Sequence, residues 1–332
     1  MARKLRILFD GAYYHVINRG QAKQKIFLSK NDFGIFLNII KNACKTCKVN
    51  IVAFCLMKNH YHLLVHTPHA NLSDFMRQVN GVYTQVFNQR YKRDGALFKG
   101  RYKAVVVQEG SFLLRLVRYI HNNPVKAGII KKCSDYLYSS NAAYMKGKET
   151  EWLKFISILR TLWKEESDFR KAYRNFMSKD DQEFSGYLGD KSRKASAAII
   201  VGDAKYIDDI KTNYLHRTFK ERDIDEIPEG KSIKHEMMTD TIKKEVALAF
   251  SIEEKELFSS QRGKENLARM MAIGLCRWCG GMSYKYIAKQ FGDIHYKSAA
   301  KYYERITMRC KNDKAAAKLF DDLSKRCSQV ET

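Results

Sequence analysis

The sequence predicts an α+β fold, with a ferredoxin-like βαββαβα domain followed by an all-α helix-turn-helix domain. Two observations predict it. Over the first 130 residues, segments with an apolar residue at every second position alternate with segments that have apolar residues three or four positions apart. After residue 245, only the helical spacing of three or four positions occurs. A length of 332 residues also favours two domains. We place them at residues 1–145 and 245–332, with a charged helical connector at 146–244.

The elements of the first domain follow from local patterns in chain order. β-branched and aromatic residues in period two predict four strands, and apolar residues three or four positions apart predict three helices. Lys58 and Asn59 are expected to form the turn between the second and third strands, and Pro68 to end the third. The predicted strands are 13–18, 50–57, 60–67 and 102–108, and the predicted helices are 31–46, 72–91 and 111–122.

The second domain is predicted from four helices, at 262–278, 283–291, 295–308 and 313–327. Gly292 supplies the chain reversal of a helix-turn-helix. The helix after this turn carries polar and basic residues near its start, where proteins that read the major groove contact bases and phosphates. Helical hairpins that only pack share this pattern, so both interpretations remain open. The predicted duplex-binding residues are Tyr296, Lys297, Ser298 and Lys301.

The net charge of +24 is concentrated in the first half of the chain. Residues 1–150 contain 25 basic and 7 acidic residues. A basic surface of this size indicates a polyanionic partner, with nucleic acid first and an anionic membrane surface second. No apolar run is long enough to span a membrane, and the start of the chain lacks the apolar core of a signal peptide. We therefore expect a cytoplasmic, nucleoid-associated protein with reduced cysteines.

His60 and His62 lie two positions apart in the third predicted strand. The two-residue period of a strand points both imidazoles to the same face. Neutral imidazole is the most common metal ligand, so the pair is a candidate half-site for a metal ion. A short pattern of this kind also arises by chance in packed strands. We interpret the other strand histidines, His15 and His66, as structural or surface residues.

Tyr119 lies on the flank of the apolar stripe in the third predicted helix. Asn123 follows at i+4, and Pro124 places it at or near the helix end. This spacing offers a nucleophilic hydroxyl and an amide oxygen on one face of the helix. A tyrosine in such a position is more often a packed aromatic with a hydrated hydroxyl. The spacing alone leaves both interpretations open.

Four motifs together resemble the single-tyrosine HUH transposases, and most closely their REP-associated tyrosine transposase-like group. These are MKNHYHLLV at 57–65, RYIHNNPVKAG at 118–128, YYHVINRG at 13–20 and LFKGRYK at 97–103. The resemblance covers about residues 10–145. It implies Tyr119 as the nucleophile and a divalent metal, Mg²⁺ or Mn²⁺, as the cofactor. The implied ligands of that metal are His60, His62 and Asn123.

The resemblance also implies the chemistry and the partners. The enzyme would nick and join single-stranded or hairpin DNA through a 5′-phosphotyrosine intermediate, without a nucleotide cofactor. The resemblance allows a homodimer in which helices are exchanged, and it leaves open whether Tyr119 acts with the histidines of its own chain or of a partner. The HUH motif has a hydrophobic middle residue, which here is Tyr61. Three basic residues alternate around Tyr102 and are candidates for contacts with the DNA backbone, although a solvated edge strand has the same pattern. They are Lys99, Arg101 and Lys103.

Residues 245–310 resemble the C-terminal DNA-binding domain of the replication initiator DnaA. The resemblance rests on ARMMAI at 268–273, IAKQFG at 287–292 and ERI at 304–306. It implies duplex binding, but the residues of DnaA-box recognition differ, with HYKS at 295–298. Two other functions remain open for the whole chain. One is a non-catalytic DNA-binding regulator with the same fold, and the other is a metal-dependent RNA-processing enzyme.

Overall fold

In the computed structural model, the chain divides into two compact units, Arg6–Arg222 and a second that contains Asp223–Thr332. The structure describes residues 6–157, 159, 169–179, 181, 184, 199–215, 230–259 and 265–328. The fold combines one five-stranded sheet with many helices, as the predicted α+β class requires. No helix among the described residues has the length and apolar character needed to cross a membrane.

The sheet of the first unit has the strand order β2-β3-β1-β4-β5. The first four strands in this order pair antiparallel, and β5 joins β4 in parallel. The strands are β1 (Ala12–Arg19), β2 (Asn50–Met57), β3 (His60–Thr67), β4 (Lys103–Val107) and β5 (Ile200–Val201). The helices are α1 (Lys30–Cys47), α2 (Leu72–Tyr91), α3 (Ser111–Lys126), α4 (Asn141–Lys146), α5 (Phe169–Ser178) and α6 (Ala204–Ile210).

Alternation along β3 sends its side chains to two different layers of helices. The ring of Tyr61 packs against Phe36 of α1, and its hydroxyl donates to Asn80 of α2 at 2.7 Å. The neighbouring His62 faces Tyr119 of α3, with 5.8 Å between the ring centroids. Because successive strand residues point to opposite faces, α1 and α2 cover one face of the sheet and α3 the other.

Helix α1 illustrates how the local sequence determines where a helix begins, which face it buries and where it ends. Its first turn has a capping box, in which the carboxylate of Asp32 accepts the backbone N–H of Ser29 at 2.8 Å. Apolar side chains at helical spacing, Phe33, Phe36 and Ile40, are buried on the side that faces the sheet. The helix ends where Lys48 adopts a left-handed conformation. The bounds of α1 exceed the predicted ones by a single residue at each end.

Most predicted elements of the first unit agree with the structure, and two differ. Helix α3 continues to Lys126, four residues beyond its predicted end, with Pro124 inside its last turn. A proline there fixes a helical φ and removes only one hydrogen bond, so a C-terminal turn tolerates it. Strand β5 was not predicted, because two apolar residues in a charged region carry no detectable period. It lies in the region predicted to be a helical connector.

The second unit is all-helical over its described residues, apart from turns. Its helices are α7 (Gly230–Phe250), α8 (Leu267–Trp278), α9 (Tyr284–Gln290), α10 (Tyr296–Asn312) and α11 (Lys314–Ser328). Side-chain caps begin three of them, from Asn266, Ser283 and His295. Gly292 has a φ of 88° between α9 and α10. The start predicted for the first of the four C-terminal helices, residue 262, lies outside the described residues.

Candidate active site

His60 and His62 project from β3, which is held between two neighbouring strands. β1 pairs with β3 on one side and β2 on the other, so that His62 lies opposite Ile17 and Cys55. The two imidazole rings are 5.1 Å apart, centroid to centroid. Because the backbone around them is paired on both sides, these histidines are oriented before any ligand arrives.

In both histidines the Nδ1 atom has a hydrogen-bond partner. Nδ1 of His60 lies 2.7 Å from the side-chain oxygen of Asn59, which can only accept, so this nitrogen carries the proton. Nδ1 of His62 lies 3.0 Å from Nε2 of His15. Neither Nε2 atom of the pair has a hydrogen bond to a described residue. The Nε2 lone pair of His60 therefore remains for another ligand, and so does that of His62 when its Nδ1 donates to His15.

His15 belongs to this cluster, although the sequence suggested only a structural or surface role. Its ring stacks on that of His62 at 5.2 Å and meets the ring of Tyr119 edge-on at 5.8 Å. Its exposed fraction is 2%. Alternation along β1 could indicate which face His15 occupies, but only the pairing of β1 with β3 brings it to His62.

Tyr119 reaches the histidines from α3, which the apolar residues Leu113, Leu116 and Ile120 hold against the sheet. Its ring stands nearly perpendicular to the ring of His62, at an interplanar angle of 80°. The side chain is half-buried. The ammonium of Lys126, two turns later, lies 5.4 Å from the centroid of the Tyr119 ring. The Tyr119 side chain is thus packed against neighbouring rings and remains partly exposed.

Asn123 follows Tyr119 by one helical turn. Its amide nitrogen donates to the backbone carbonyls of Tyr119 at 2.8 Å and Ile120 at 3.5 Å. No hydrogen bond to a described residue engages its side-chain oxygen. The amide is therefore oriented by its own helix, with the oxygen available as an acceptor or ligand.

Burial keeps the histidines neutral. It lowers the pKa of His15 to about 3 and the pKa of His62 well below its usual value, with the neighbouring rings of His15 and His60 adding to the shift of His62. Burial, assisted by the charge of Arg19, also lowers the pKa of His60. Burial raises the pKa of the Tyr119 phenol. At neutral pH the imidazoles are thus competent as ligands, and the phenol is protonated.

The donor set fits a divalent cation, although the described residues contain no group of three or more His, Cys, Asp and Glu side chains arranged to hold one. Three donor atoms have no hydrogen-bond partner among the described residues. They are Nε2 of His60, Nε2 of His62 and the side-chain oxygen of Asn123. A metal-binding histidine usually forms a hydrogen bond through the ring nitrogen that does not bind the metal, as Nδ1 of His60 and of His62 would do here.

The three basic residues predicted to follow a DNA backbone are all exposed. Only Lys103 lies in β4, where it pairs with Ile17 and so shares the sheet face of His62. Lys99 and Arg101 precede the strand, in a loop joined to β1 by a hydrogen bond from the Lys99 N–H to the carbonyl of Arg19. The three residues therefore do not share one strand, because the chain turns at Gly100, whose φ is 141°.

In the second unit, the residues predicted to read duplex DNA lie at the start of α10. Tyr296, Lys297 and Lys301 are exposed, and Ser298 is half-buried. Arg269 of the ARMMAI motif is only 2% exposed and donates to the carbonyl of Phe291 at 2.6 Å. It therefore joins α8 to the end of α9 inside the unit.

In the first unit, the sheet presents two histidines to a tyrosine of the helix that covers it. Residues 9–123 match the model of the family described as "Transposase IS200 like".

The chain is also similar to individual known proteins. The chain is 27% identical over 116 residues to a protein of Haemophilus influenzae named as a REP-associated tyrosine transposase, a match covering 32% of this chain and 66% of that protein. A solved REP-associated tyrosine transposase bound to a REP hairpin has a TM-score of 0.38 and 17% identity, over 46% of this chain and 98% of that one. A transposase structure from Deinococcus radiodurans R1 has a TM-score of 0.27 and 20% identity, over 36% and 96%.

Proposed function

We propose that this chain is a metal-dependent endonuclease and strand transferase for single-stranded or hairpin DNA, with Tyr119 as its nucleophile. The observation that carries the proposal is the meeting of a half-buried tyrosine with a pair of histidines whose Nε2 atoms are unoccupied. The family match over residues 9–123 supports it.

The reaction is a transesterification at a phosphodiester. The side-chain oxygen of Tyr119 forms a bond to phosphorus, and the bond from phosphorus to the 3′ oxygen breaks. The phenol loses its proton and the 3′ oxygen takes one up, which gives a 5′-phosphotyrosine and a free 3′-hydroxyl. The number of phosphate ester bonds is unchanged, so the strand can be rejoined without another energy source.

His60, His62 and Asn123 would hold Mg²⁺ or Mn²⁺, which supplies Lewis-acid polarisation of the scissile phosphate when bound. Such polarisation is needed because burial raises the pKa of Tyr119, which makes its phenol a poor nucleophile at neutral pH. His15 is a positioning residue, because its hydrogen bond to Nδ1 of His62 fixes which nitrogen of that ring faces the substrate.

We further infer a ferredoxin-like arrangement for the first unit, supported by the antiparallel order β2-β3-β1-β4 and by two helices on one face. For the second unit we infer a DnaA-like helix-turn-helix that binds duplex DNA and retains the enzyme on the nucleoid. The exposed Tyr296, Lys297 and Lys301 at the start of α10 support this inference. The proposal places Tyr119 and the histidines in one chain and leaves open whether that chain acts as a monomer or a homodimer.

Covalent trapping tests the reaction directly. The full chain is incubated with Mn²⁺ and single-stranded DNA that flanks a hairpin, and a denaturant-resistant protein–DNA adduct is sought by gel electrophoresis. We expect an adduct with the wild type and none with Tyr119→Phe. Tyr138→Phe is the matched control, because this ring stacks on Phe33 at 3.7 Å, away from the histidines.

The outcomes separate the alternatives. An adduct that survives Tyr119→Phe would place the nucleophile elsewhere. DNA binding by the wild type without an adduct under any divalent cation would favour a non-catalytic regulator. Cleavage of RNA without an adduct would favour an RNA-processing enzyme.

A further inference from the structure

A second polar site lies beside the catalytic helix, in a pocket of about 620 Å³. The pocket is formed where the end of α3 meets α4, α5 and the loop between α3 and α4. No residue among those that line it is aromatic or acidic, within the part of the chain that the structure describes. Five cationic side chains line it instead: Lys126, Lys131, Lys132, Arg174 and Lys179.

Four of these five cations form no ion pair with another described residue. Lys131, Lys132, Arg174 and Lys179 are exposed, and the ion pairs found among the described residues include none of them. The carboxylate of Asp135, close by in sequence, accepts a hydrogen bond from Ser134 and does not line the pocket. Like charges that line one pocket repel one another, and an anion that enters the pocket reduces this repulsion.

A buried amide adds a directed donor to these charges. Asn141 lines the pocket with an exposed fraction of 1%, and its side-chain oxygen accepts the hydroxyl of Tyr173 at 2.6 Å. That contact fixes the orientation of the amide. Its amide nitrogen has no hydrogen-bond partner among the described residues. An anionic oxygen in the pocket would accept a hydrogen bond from this N–H₂ group.

The pocket adjoins the candidate active site through Lys126. Its ammonium lies 5.4 Å from the centroid of the Tyr119 ring, and the same residue lines the pocket. A chain of phosphates bound there would therefore lead toward the tyrosine. The absence of an aromatic lining gives a base nothing to stack on, so the site suits the sugar-phosphate backbone rather than a nucleobase.

We propose that this pocket binds backbone phosphates of the single DNA strand next to the phosphodiester that Tyr119 attacks. The proposal rests on the strand-transfer function given above. It assigns Lys131, Lys132 and Arg174 to electrostatic contacts, and Asn141 to a hydrogen bond with a phosphate oxygen. Contacts of this kind hold the strand without reading its sequence.

The salt dependence of binding tests the pocket separately from catalysis. The full chain is titrated against a fluorescein-labelled single-stranded oligodeoxynucleotide of mixed sequence at several salt concentrations. Each neutralised phosphate contributes about −0.7 to the slope of log affinity against log salt for single strands. If Lys131→Ala with Lys132→Ala removes two contacts, the slope becomes less steep by about 1.4, and the wild type loses about sevenfold more affinity than the variant between about 50 and 200 mM salt.

Lys41→Ala with Lys45→Ala is the matched control, because both lysines are exposed on α1, which covers the opposite face of the sheet. It changes the net charge equally and should leave the slope near that of the wild type. Asn141→Asp is a second variant, since its carboxylate can still accept the Tyr173 hydroxyl but repels a phosphate. We expect it to bind the oligonucleotide more weakly than the wild type at low salt, with its folded state checked by thermal melting.

The proposal would be overturned if the salt-dependence slopes of the Lys131/Lys132 variant and the Lys41/Lys45 control were equal. It would also be overturned if folded Asn141→Asp bound the oligonucleotide with the affinity of the wild type. If the slopes of these two variants differ but the wild type forms no Tyr119 adduct, the pocket is a DNA-binding site and the strand-transfer reaction is the part of the proposal that fails. The binding and trapping assays thus distinguish the two failures.

Discussion

Replacing His15 tests whether the histidine pair is organised by a third ring. In the wild type, Nε2 of His15 lies 3.0 Å from Nδ1 of His62, and the two residues are 2% and 4% exposed. If His62 presents Nε2 to a cation, as proposed, its proton belongs on Nδ1, and His15 must accept it. In His15→Leu the volume is largely kept, but this acceptor is lost.

The size of the effect follows from the burial of this hydrogen bond. Leaving a buried donor without a partner costs about 1–3 kcal/mol, and His62 can avoid part of that cost by moving its proton to Nε2. That tautomer cannot bind a metal ion through Nε2. Loss of such a supporting contact typically weakens metal binding by about 10–100-fold, or roughly 1.4–2.7 kcal/mol.

The assay is Mn²⁺ binding to the full chain, followed by isothermal titration calorimetry or by the electron paramagnetic resonance signal of the free ion. His15→Gln places an amide near the former Nε2 position and should retain most of the affinity. His66→Ala is the control, because His66 stacks on Tyr13 on the same face of the sheet without contacting His62. If folded His15→Leu binds Mn²⁺ as tightly as the wild type and only melts earlier, His15 has a packing role and the positioning argument is wrong.

Two further predictions concern stability and the second unit. Although burial by itself raises the pKa of the Asp32 carboxyl, hydrogen bonds from the Ser29 backbone and the Tyr91 hydroxyl outweigh it and leave the pKa below its usual value. The stability that Asp32 provides is therefore complete above the unfolded pKa of about 3.9 and is lost as pH falls through the lower folded pKa. We expect Asp32→Asn to lower the free energy of unfolding, measured by urea denaturation, by about 1–3 kcal/mol at pH 7 and by less at pH 3. An equal loss at both pH values would refute the electrostatic explanation. Lys297→Ala with Lys301→Ala should weaken binding to a DNA duplex while leaving the Tyr119 adduct intact. The control is Lys314→Ala with Lys318→Ala. If both double variants bind the duplex with the same affinity, α10 is not part of the interface.

Local sequence patterns were sufficient to predict the parts of the site that depend on a single element. Alternation in β3 places His60 and His62 on one face, and helical spacing in α3 places Tyr119 and Asn123 one turn apart on one side. The bounds of β2, β3 and α2 also agree with the prediction. These features follow from the two- and 3.6-residue periods, which each element contains within itself.

Features built from several elements depend on the tertiary structure. His15 joins the site because β1 pairs with β3, and its position in the sequence carries no sign of that pairing. The cations of the phosphate pocket come from α3, α5 and two loops, more than 50 positions apart along the chain. Strand β5 gains its place only by pairing with β4. Contacts between distant residues are determined by how whole elements pack, and a local period contains no information about which element becomes the neighbour of another.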